Sequence, residues 1–125
     1  MRIRLVLAIL WLVLILFVTL TPGQQLPETP DIVGFDKLVH LSMFLVLTLL
    51  WLSVYLPQNR GNIPLAKIMT NYLVFGIVFA IFVEYMQHYI PGRSFDYGDM
   101  AANLTGGTVG VIGYYILLKK KCNLV

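Results

Sequence analysis

The chain has 125 residues, of which 58% are hydrophobic and 12% are charged, and its mean hydropathy is +0.80. Soluble globular proteins draw about 25% of their residues from Asp, Glu, Lys and Arg, so this composition excludes an ordinary water-soluble domain and predicts an integral membrane protein of one domain, residues 1–125. The formal net charge is +3, but the basic residues are scattered and form no patch with stacking aromatic residues, which excludes a nucleic-acid partner.

The first predicted element is an apolar run over residues 3–20, which follows Arg2 and Arg4. A transmembrane helix needs about 20 apolar residues to cross the hydrocarbon core, so this run is long enough to span. A cleaved signal peptide has a similar basic start, but its apolar region covers only about 7–15 residues and ends in a small-x-small cleavage site. The residues before Pro22 do not form such a site, and we favour a retained first helix over a signal peptide.

The remaining elements alternate between apolar runs and polar connections. A loop is predicted over residues 21–36, where three prolines prevent helix formation, and a polar turn is predicted over residues 57–67. Pro91 and Gly92 end the third apolar run. The sequence therefore predicts an all-α membrane protein with four transmembrane helices, over residues 3–20, 37–56, 68–90 and 98–118.

Lys and Arg residues beside the predicted spans set the expected orientation, because cytoplasmic flanks carry the excess of these residues. Two of them, Lys37 and Arg93, fall on one side of the membrane. The other side carries Arg2, Arg4, Arg60, Lys67, Lys119, Lys120 and Lys121. We therefore expect a multi-pass protein of the cytoplasmic membrane, surrounded by the lipid bilayer, with both termini cytoplasmic.

The conspicuous polar residues converge at the outer face in this topology, although they come from three predicted helices and the turn between two of them. They are Asp36, Lys37, His40, Glu84, Gln87, Arg93, Asp96, Asp99 and Asn103. Ionisable groups at the edge of a bilayer are costly unless they are paired or face a wet cavity, so such a cluster indicates a functional site. No cofactor and no metal ion is expected.

A structural explanation is open for several of these residues. Asp96 and Asp99 have the spacing of an N-cap and a first-turn acid. Glu84 is different, because it lies about one to two turns inside the predicted boundary, where an unpaired carboxylate costs a few kcal/mol. Its expected partner is Arg93, through a bidentate ion pair, or His40 from another helix. A polar clamp between helices explains the whole pattern about as well as a ligand site does.

One face of the fourth predicted helix combines polar and small residues. Its outer half contains Asp99 and Asn103, and its inner half contains the small residues Ala102, Gly106, Gly110 and Gly113. Small residues at helical spacing let a neighbouring helix backbone approach closely, so we expect this face to pack against another helix.

Taken in order, these residues resemble the VanZ-like family of bacterial integral membrane proteins. The resemblance covers nearly the whole chain and rests on Asp36-Lys37-x-x-His40, Glu84-x-x-Gln87, Pro91-Gly92-Arg93, Asp96-x-x-Asp99 and Asn103-x-x-Gly106-x-x-x-Gly110. It implies a polytopic protein of the cell envelope, whose namesake is associated with resistance to glycopeptide antibiotics of the teicoplanin type. The resemblance assigns no catalytic role to any residue.

Two main function classes fit the cluster. In the first, a non-enzymatic envelope protein binds a lipid head group or another cell-wall-related ligand, and Lys37, His40 and Arg93 receive its anionic groups. In the second, a membrane-embedded enzyme acts on a lipid-linked substrate at the outer leaflet, with Glu84 or His40 as general base. A metal variant of the enzyme combines His40 with nearby carboxylates. A transporter ranks last, because the polar groups lie at one face and not at the midplane.

Overall fold

The computed structural model describes residues 2–28, 30–55 and 64–123, with only the backbone of Tyr55 and of residues 118–123. Throughout these residues the regular structure is helical: α1 (Arg2–Leu20), a short 3-10 turn (Gly23–Gln25), α2 (Phe35–Tyr55), α3 (Leu65–Gln87) and α4 (Tyr97–Asn123). The predicted all-α fold is therefore confirmed for the part of the chain that is described.

Three of the helices are long and apolar enough to cross a membrane: Arg2–Leu20, Phe35–Val54 and Leu65–Gln87. α4 is 27 residues long, but polar residues and glycines fill much of its first half. That all four helices span, and that both termini are cytoplasmic, stay predictions. Of the residues used for the orientation, Arg60 lies outside the described residues, and so do the side chains of Lys119, Lys120 and Lys121.

The predicted boundaries differ from the observed ones mainly at α3 and α4. α3 begins at Leu65 and ends at Gln87, not at residue 90, because the next three amides bond to carbonyls three positions back and tighten the chain into a turn. α4 continues to Asn123, beyond the predicted end at residue 118. The order of the helices along the chain agrees with the sequence prediction for the described residues.

The helices alternate in direction, so that one end of the bundle collects the ends of α1 and α3 and the starts of α2 and α4. Arg4 Nη1 donates a hydrogen bond of 3.3 Å to the Ser53 carbonyl, which places the start of α1 beside the end of α2. At the opposite end, Gln87 Nε2 donates to the Thr19 carbonyl at 3.2 Å and joins α3 to α1. We call this second end the polar end.

Apolar side chains fill the middle of the bundle. The buried core comes from α1, α2 and α3 and consists of Ile15, Phe44, Leu47, Ala80 and Val83. Trp51 stacks on Phe75 with 4.3 Å between ring centroids, and Trp11 Nε1 donates to the Met43 carbonyl at 3.0 Å. Because lipid tails are as apolar as these side chains, close packing and hydrogen bonds hold membrane helices together.

α2 and α4 make the most extensive helix pairing, and they do so through glycines of α4. A Cβ added at Gly106 would overlap the backbone of Leu41, and one added at Gly110 would overlap the side chain of Thr48. Such close approach of two backbones requires residues without side chains. The expected packing of this face against another helix is therefore observed at both glycines.

The close packing does not extend along the whole row of small residues predicted on this face, which we call the stripe: Ala102, Gly106, Gly110 and Gly113. At Gly113 an added Cβ would meet no atom within 4 Å among the described residues, so the tight contact ends at the preceding glycine of the stripe. Ala102 is only half-buried. Gly107, which the stripe does not include, packs against α3, where its added Cβ would lie 2.8 Å from Gly76 Cα. Gly76 belongs to a π-helical segment of α3, Tyr72–Val78.

Alanine at Gly106 should destabilise the protein, whereas alanine at Gly113 should not. Alanine is favoured over glycine within a helix by about 1 kcal/mol, but at Gly106 the new methyl group displaces the Leu41 backbone, and overpacking costs about 1–3 kcal/mol. We expect Gly106→Ala to lower the midpoint of thermal unfolding in detergent, and Gly113→Ala to leave it unchanged or raise it. Equal midpoints for the two variants would contradict the pairing of α2 with α4.

Candidate functional site

Seven of the predicted site residues lie together at the polar end, and we call them the polar cluster: Asp36, Lys37, His40, Glu84, Asp96, Asp99 and Asn103. Three of them form a partly exposed outer layer: Asp36, Lys37 and Asp96. Three others are buried beneath it: His40, Glu84 and Asn103. Asp99 touches both layers.

Lys37 lies at the centre of the outer layer. Its Nζ donates to Asp96 Oδ2 and to Asp99 Oδ1 at 3.0 Å each, and to Asp36 Oδ2 at 3.4 Å. An ammonium group has three donors and no acceptor, so the three carboxylates use its full donor capacity. This geometry does not leave Lys37 free to receive an anionic group, contrary to the expectation from sequence.

Asp96 joins three helices. Its Oδ1 accepts a hydrogen bond of 2.6 Å from the Gly98 amide, as an N-cap of α4 does, so the capping explanation that the sequence left open applies to Asp96. Its Oδ2 binds Lys37 of α2, and its own amide donates to Glu84 Oε1 of α3 at 2.9 Å. The Lys37 ammonium and the Gly98 amide hold the pKa of Asp96 below its ordinary value, because both stabilise the ionised carboxylate.

His40 lies between Asn103 and Asp99 in the buried layer. Its Nδ1 is 2.9 Å from Asn103 Oδ1, and its Nε2 is 3.8 Å from Asp99 Oδ2. With Asn103 Oδ1 as acceptor, Nδ1 carries a proton, and in the neutral imidazole Nε2 then presents a lone pair towards the Asp99 carboxylate. A hydrogen-bond donor placed between Nε2 and Asp99 Oδ2 would therefore satisfy both acceptors.

Glu84 is fully buried and only partly satisfied. Its Oε1 accepts the Asp96 amide, but its Oε2 has no hydrogen-bond partner among the described residues. The hydrogen bond from the Asp96 amide joins the Glu84 carboxyl group to the polar cluster. Asn103 is also fully buried, and its Nδ2 has no partner among the described residues. The buried layer thus keeps one acceptor and one donor unpaired.

The other two predicted site residues, Gln87 and Arg93, bind α1 and not the polar cluster. The Arg93 guanidinium donates to the carbonyls of Val18 at 3.1 Å and Thr21 at 3.5 Å. Carbonyls at the end of a helix lack partners within it, and a cation there also suits the helix dipole. Within the described residues, the expected ion pair of Arg93 with Glu84 is not formed, and the guanidinium instead ties the turn after α3 to the end of α1.

Three carboxylates of the polar cluster have the spacing of cation ligands. One oxygen from each of Asp36, Asp96 and Asp99 lies within 4.8 Å of the others. The Lys37 ammonium lies between these oxygens and supplies the positive charge that a metal ion would bring. His40, on which the metal variant of the sequence analysis depends, is not part of this set among the described residues.

Three glycines that the sequence-based site did not include also shape the polar end. An added Cβ at Gly98 would lie 2.6 Å from Lys37 Cε, so glycine makes room for the lysine there. The Gly23 amide donates to the Pro91 carbonyl at 3.2 Å, and Gly92 adopts a φ of +72°, which favours glycine. The Pro91-Gly92 pair signals a turn in the sequence, but nothing in the sequence signals its contact with Gly23.

The family model described as VanZ/LLP1 matches residues 4–118. The match covers most of the chain, including the whole polar cluster, and the chain belongs to this family. The resemblance drawn from the motifs is thereby confirmed. Comparison with curated proteins and with solved structures gives no significant match. Family membership and three helices apolar enough to span together identify a membrane protein.

The link between Lys37 and Asp96 should stabilise the fold in a pH-dependent way. Because the pKa of Asp96 is lowered in the folded protein, its contribution is complete above the ordinary value of 3.8 and is lost as the pH falls through the lower folded value. Both side chains are partly exposed, so we expect about 1 kcal/mol or less.

Asp96→Asn tests this link, since asparagine still caps a helix and only the charge is removed. Its unfolding midpoint in detergent should lie below that of the parent at neutral pH, and the two midpoints should converge in acid. A difference that stays constant throughout the titration would mean that the charge of Asp96 does not contribute.

Proposed function

We propose that this member of the VanZ/LLP1 family binds, in its polar cluster, the polar head of an amphiphilic envelope ligand such as a lipid head group or another cell-wall-related group. One observation carries the proposal. Glu84 Oε2 and Asn103 Nδ2 are fully buried and unpaired among the described residues, and both lie at the layer that contains His40. A ligand with hydrogen-bonding groups would pair with both.

A cluster that only clamps helices has no reason to leave buried groups unpaired. An unpaired buried polar atom costs about 1–3 kcal/mol, and more where it is charged, so its presence in a native protein calls for an explanation such as function. Asn71, in the other half of α3, also has an unpaired amide, but it lies beside an apolar groove of about 340 Å³. At the polar cluster, the unpaired atoms come from two helices and adjoin ionisable groups.

The place of the polar cluster suits an amphiphile. It lies at the end of three helices that are apolar enough to span, so an acyl chain can run along their surfaces, where apolar side chains such as Phe82 are exposed. The basic residues Arg2 and Arg4 lie at the start of α1, at the opposite end, which supports an extracytoplasmic position for the cluster. We place the ligand in the outer leaflet of the cytoplasmic membrane, and include glycopeptide resistance among the proposed consequences of holding it.

A membrane-embedded enzyme acting on a lipid-linked substrate is the second candidate. The observation in its favour is the orientation of His40, whose Nδ1 is held by Asn103 and whose Nε2 is left for proton transfer near Asp99. An imidazole oriented in this way acts as a general base, and a neighbouring carboxylate stabilises the imidazolium that forms. The attacking group would then be water or a hydroxyl of the substrate.

Glu84→Gln should reduce ligand binding while the protein still folds. The glutamine has the same size and keeps the oxygen that accepts the Asp96 amide, but it removes the charge and the unpaired acceptor. Since a hydrogen bond to a charged group is worth about 1.5–3 kcal/mol, we expect at least about tenfold weaker binding. Mass spectrometry of co-purified lipids, glycopeptide susceptibility and envelope-lipid composition are the measurements.

Glu28→Gln is the matched control, because Glu28 is exposed and lies outside the polar cluster; it should behave as the parent in all three measurements. If Glu84→Gln inserts and folds, yet keeps the lipid content and susceptibility of the parent, the cluster is a structural clamp and the proposal fails. His40→Gln separates the two candidates. An enzyme so altered should accumulate its lipid substrate, whereas a binding protein should lose its ligand.

A further inference from the structure

The polar cluster has more acidic than basic groups. Lys37 and His40 are its basic members, and Arg93 is turned towards α1. Its acids are Asp36, Glu84, Asp96 and Asp99. A site with an excess of negative charge attracts cations and rejects anions, because complementary potentials decide which partners bind. The charge of the cluster therefore favours a cationic head group.

The Lys37 ammonium shows which kind of cation the outer layer fits. One oxygen from each of Asp36, Asp96 and Asp99 lies within 4.8 Å of the others, and each of these three carboxylates accepts a hydrogen bond from Lys37 Nζ at 3.0–3.4 Å. We call these three side chains the carboxylate cup. A primary ammonium has three N–H donors, one for each carboxylate, whereas a quaternary ammonium has none.

A second observation does not depend on the cup. The Glu84 carboxyl group adjoins it, since Oε1 accepts a hydrogen bond of 2.9 Å from the amide of Asp96, one of the three residues of the cup. Its Oε2 is fully buried and unpaired among the described residues. Beside the three carboxylates there is thus a further acceptor that has no donor among the described residues.

We infer that the ligand of the polar cluster carries a primary ammonium group, which replaces that of Lys37 in the carboxylate cup. This inference rests on the proposed function and specifies its ligand. Lys37 has a flexible stem and a side chain that is 42% exposed, so its ammonium can withdraw into water. A phosphate would have to take Lys37 from three carboxylates and then lie beside them, which is unfavourable.

Lipid retention by the full chain tests the inference. Nanodiscs contain equal amounts of phosphatidylethanolamine, which has a primary ammonium, phosphatidylcholine, which has no N–H donor, and phosphatidylglycerol, which is anionic. Lipids that stay bound after extraction into detergent are counted by native mass spectrometry. We expect phosphatidylethanolamine to be retained about tenfold over either of the others, a ratio that one charge-assisted hydrogen bond supplies.

Lys37→Met tests whether the Lys37 ammonium competes with the ligand for the carboxylate cup. Methionine removes the ammonium that competes for the carboxylate cup, so retention of phosphatidylethanolamine should rise about tenfold. Lys67→Met, at the other end of α3, is the matched control and should change nothing. Lower retention in Lys37→Met, or a preference of the parent for phosphatidylglycerol, would overturn the inference.

Asp96→Asn provides a second variant that does not depend on how Lys37→Met folds. It keeps the helix cap but removes one acceptor of the carboxylate cup, so the preference for phosphatidylethanolamine over phosphatidylcholine should fall about tenfold. An unchanged preference would also overturn the inference. Excess free ethanolamine identifies the source of the amine: if it displaces the lipid, a free amine is sufficient, and if it does not, the lipid head group is required.

The outcomes separate this inference from the proposed function. If the parent retains the three lipids equally and Glu84→Gln loses all of them, the ammonium is not recognised but the polar cluster is still a ligand site. If the parent and Glu84→Gln retain each lipid to the same extent, both ideas fail. A preference for phosphatidylethanolamine that Glu84→Gln weakens and Glu28→Gln preserves supports both.

Discussion

The contact of α4 with α2 at Gly106 is the constraint on which the polar end depends. Gly106 lies against the Leu41 backbone, and one turn towards the polar end this contact brings Asn103 to His40. One further turn brings Asp99 to Lys37. Because backbone contact leaves almost no freedom for sliding, the two helices hold their polar side chains in a fixed register. Gly106 is in this sense part of the site, because it fixes where the polar side chains of the two helices meet.

The burial of His40, Glu84 and Asn103 makes this register consequential. Away from water, a charged group interacts strongly with its neighbours, and each missing partner is costly. In the outer layer, the Lys37 ammonium pairs with three carboxylates. In the buried layer, Glu84 Oε2 has no hydrogen-bond partner among the described residues. Among the described residues, the charges of the outer layer are thus paired, whereas the buried layer keeps unpaired polar atoms.

The sequence predicted the helices, the convergence of most of the polar residues and the packing at Gly106, and it offered capping as one explanation of Asp96, because each follows from local composition or from helical periodicity. It did not predict the partner of Arg93, since a long side chain in a turn can reach any of several helices and spacing does not select among them. Periodicity also extended the packing face to Gly113, where the described residues supply no neighbour. Side-chain spacing identifies which residues share a face, but the crossing of the helices determines where that face is in contact.

Arg93 connects α1 to the polar cluster, although α1 contributes no side chain to that cluster. The turn after α3 is tied to the end of α1 by the Arg93 bonds to Val18 and Thr21 and by the contact of Gly23 with Pro91. This turn leads directly to Asp96, whose amide binds Glu84 and whose carboxylate binds Lys37. Arg93, which the sequence suggested as a group that receives anions, therefore positions the turn after α3. Arg93 holds the segment that contains Asp96, and Asp96 forms one hydrogen bond with each layer of the polar cluster. Because the Arg93 guanidinium binds α1, its positive charge does not offset the acidic residues of the cluster.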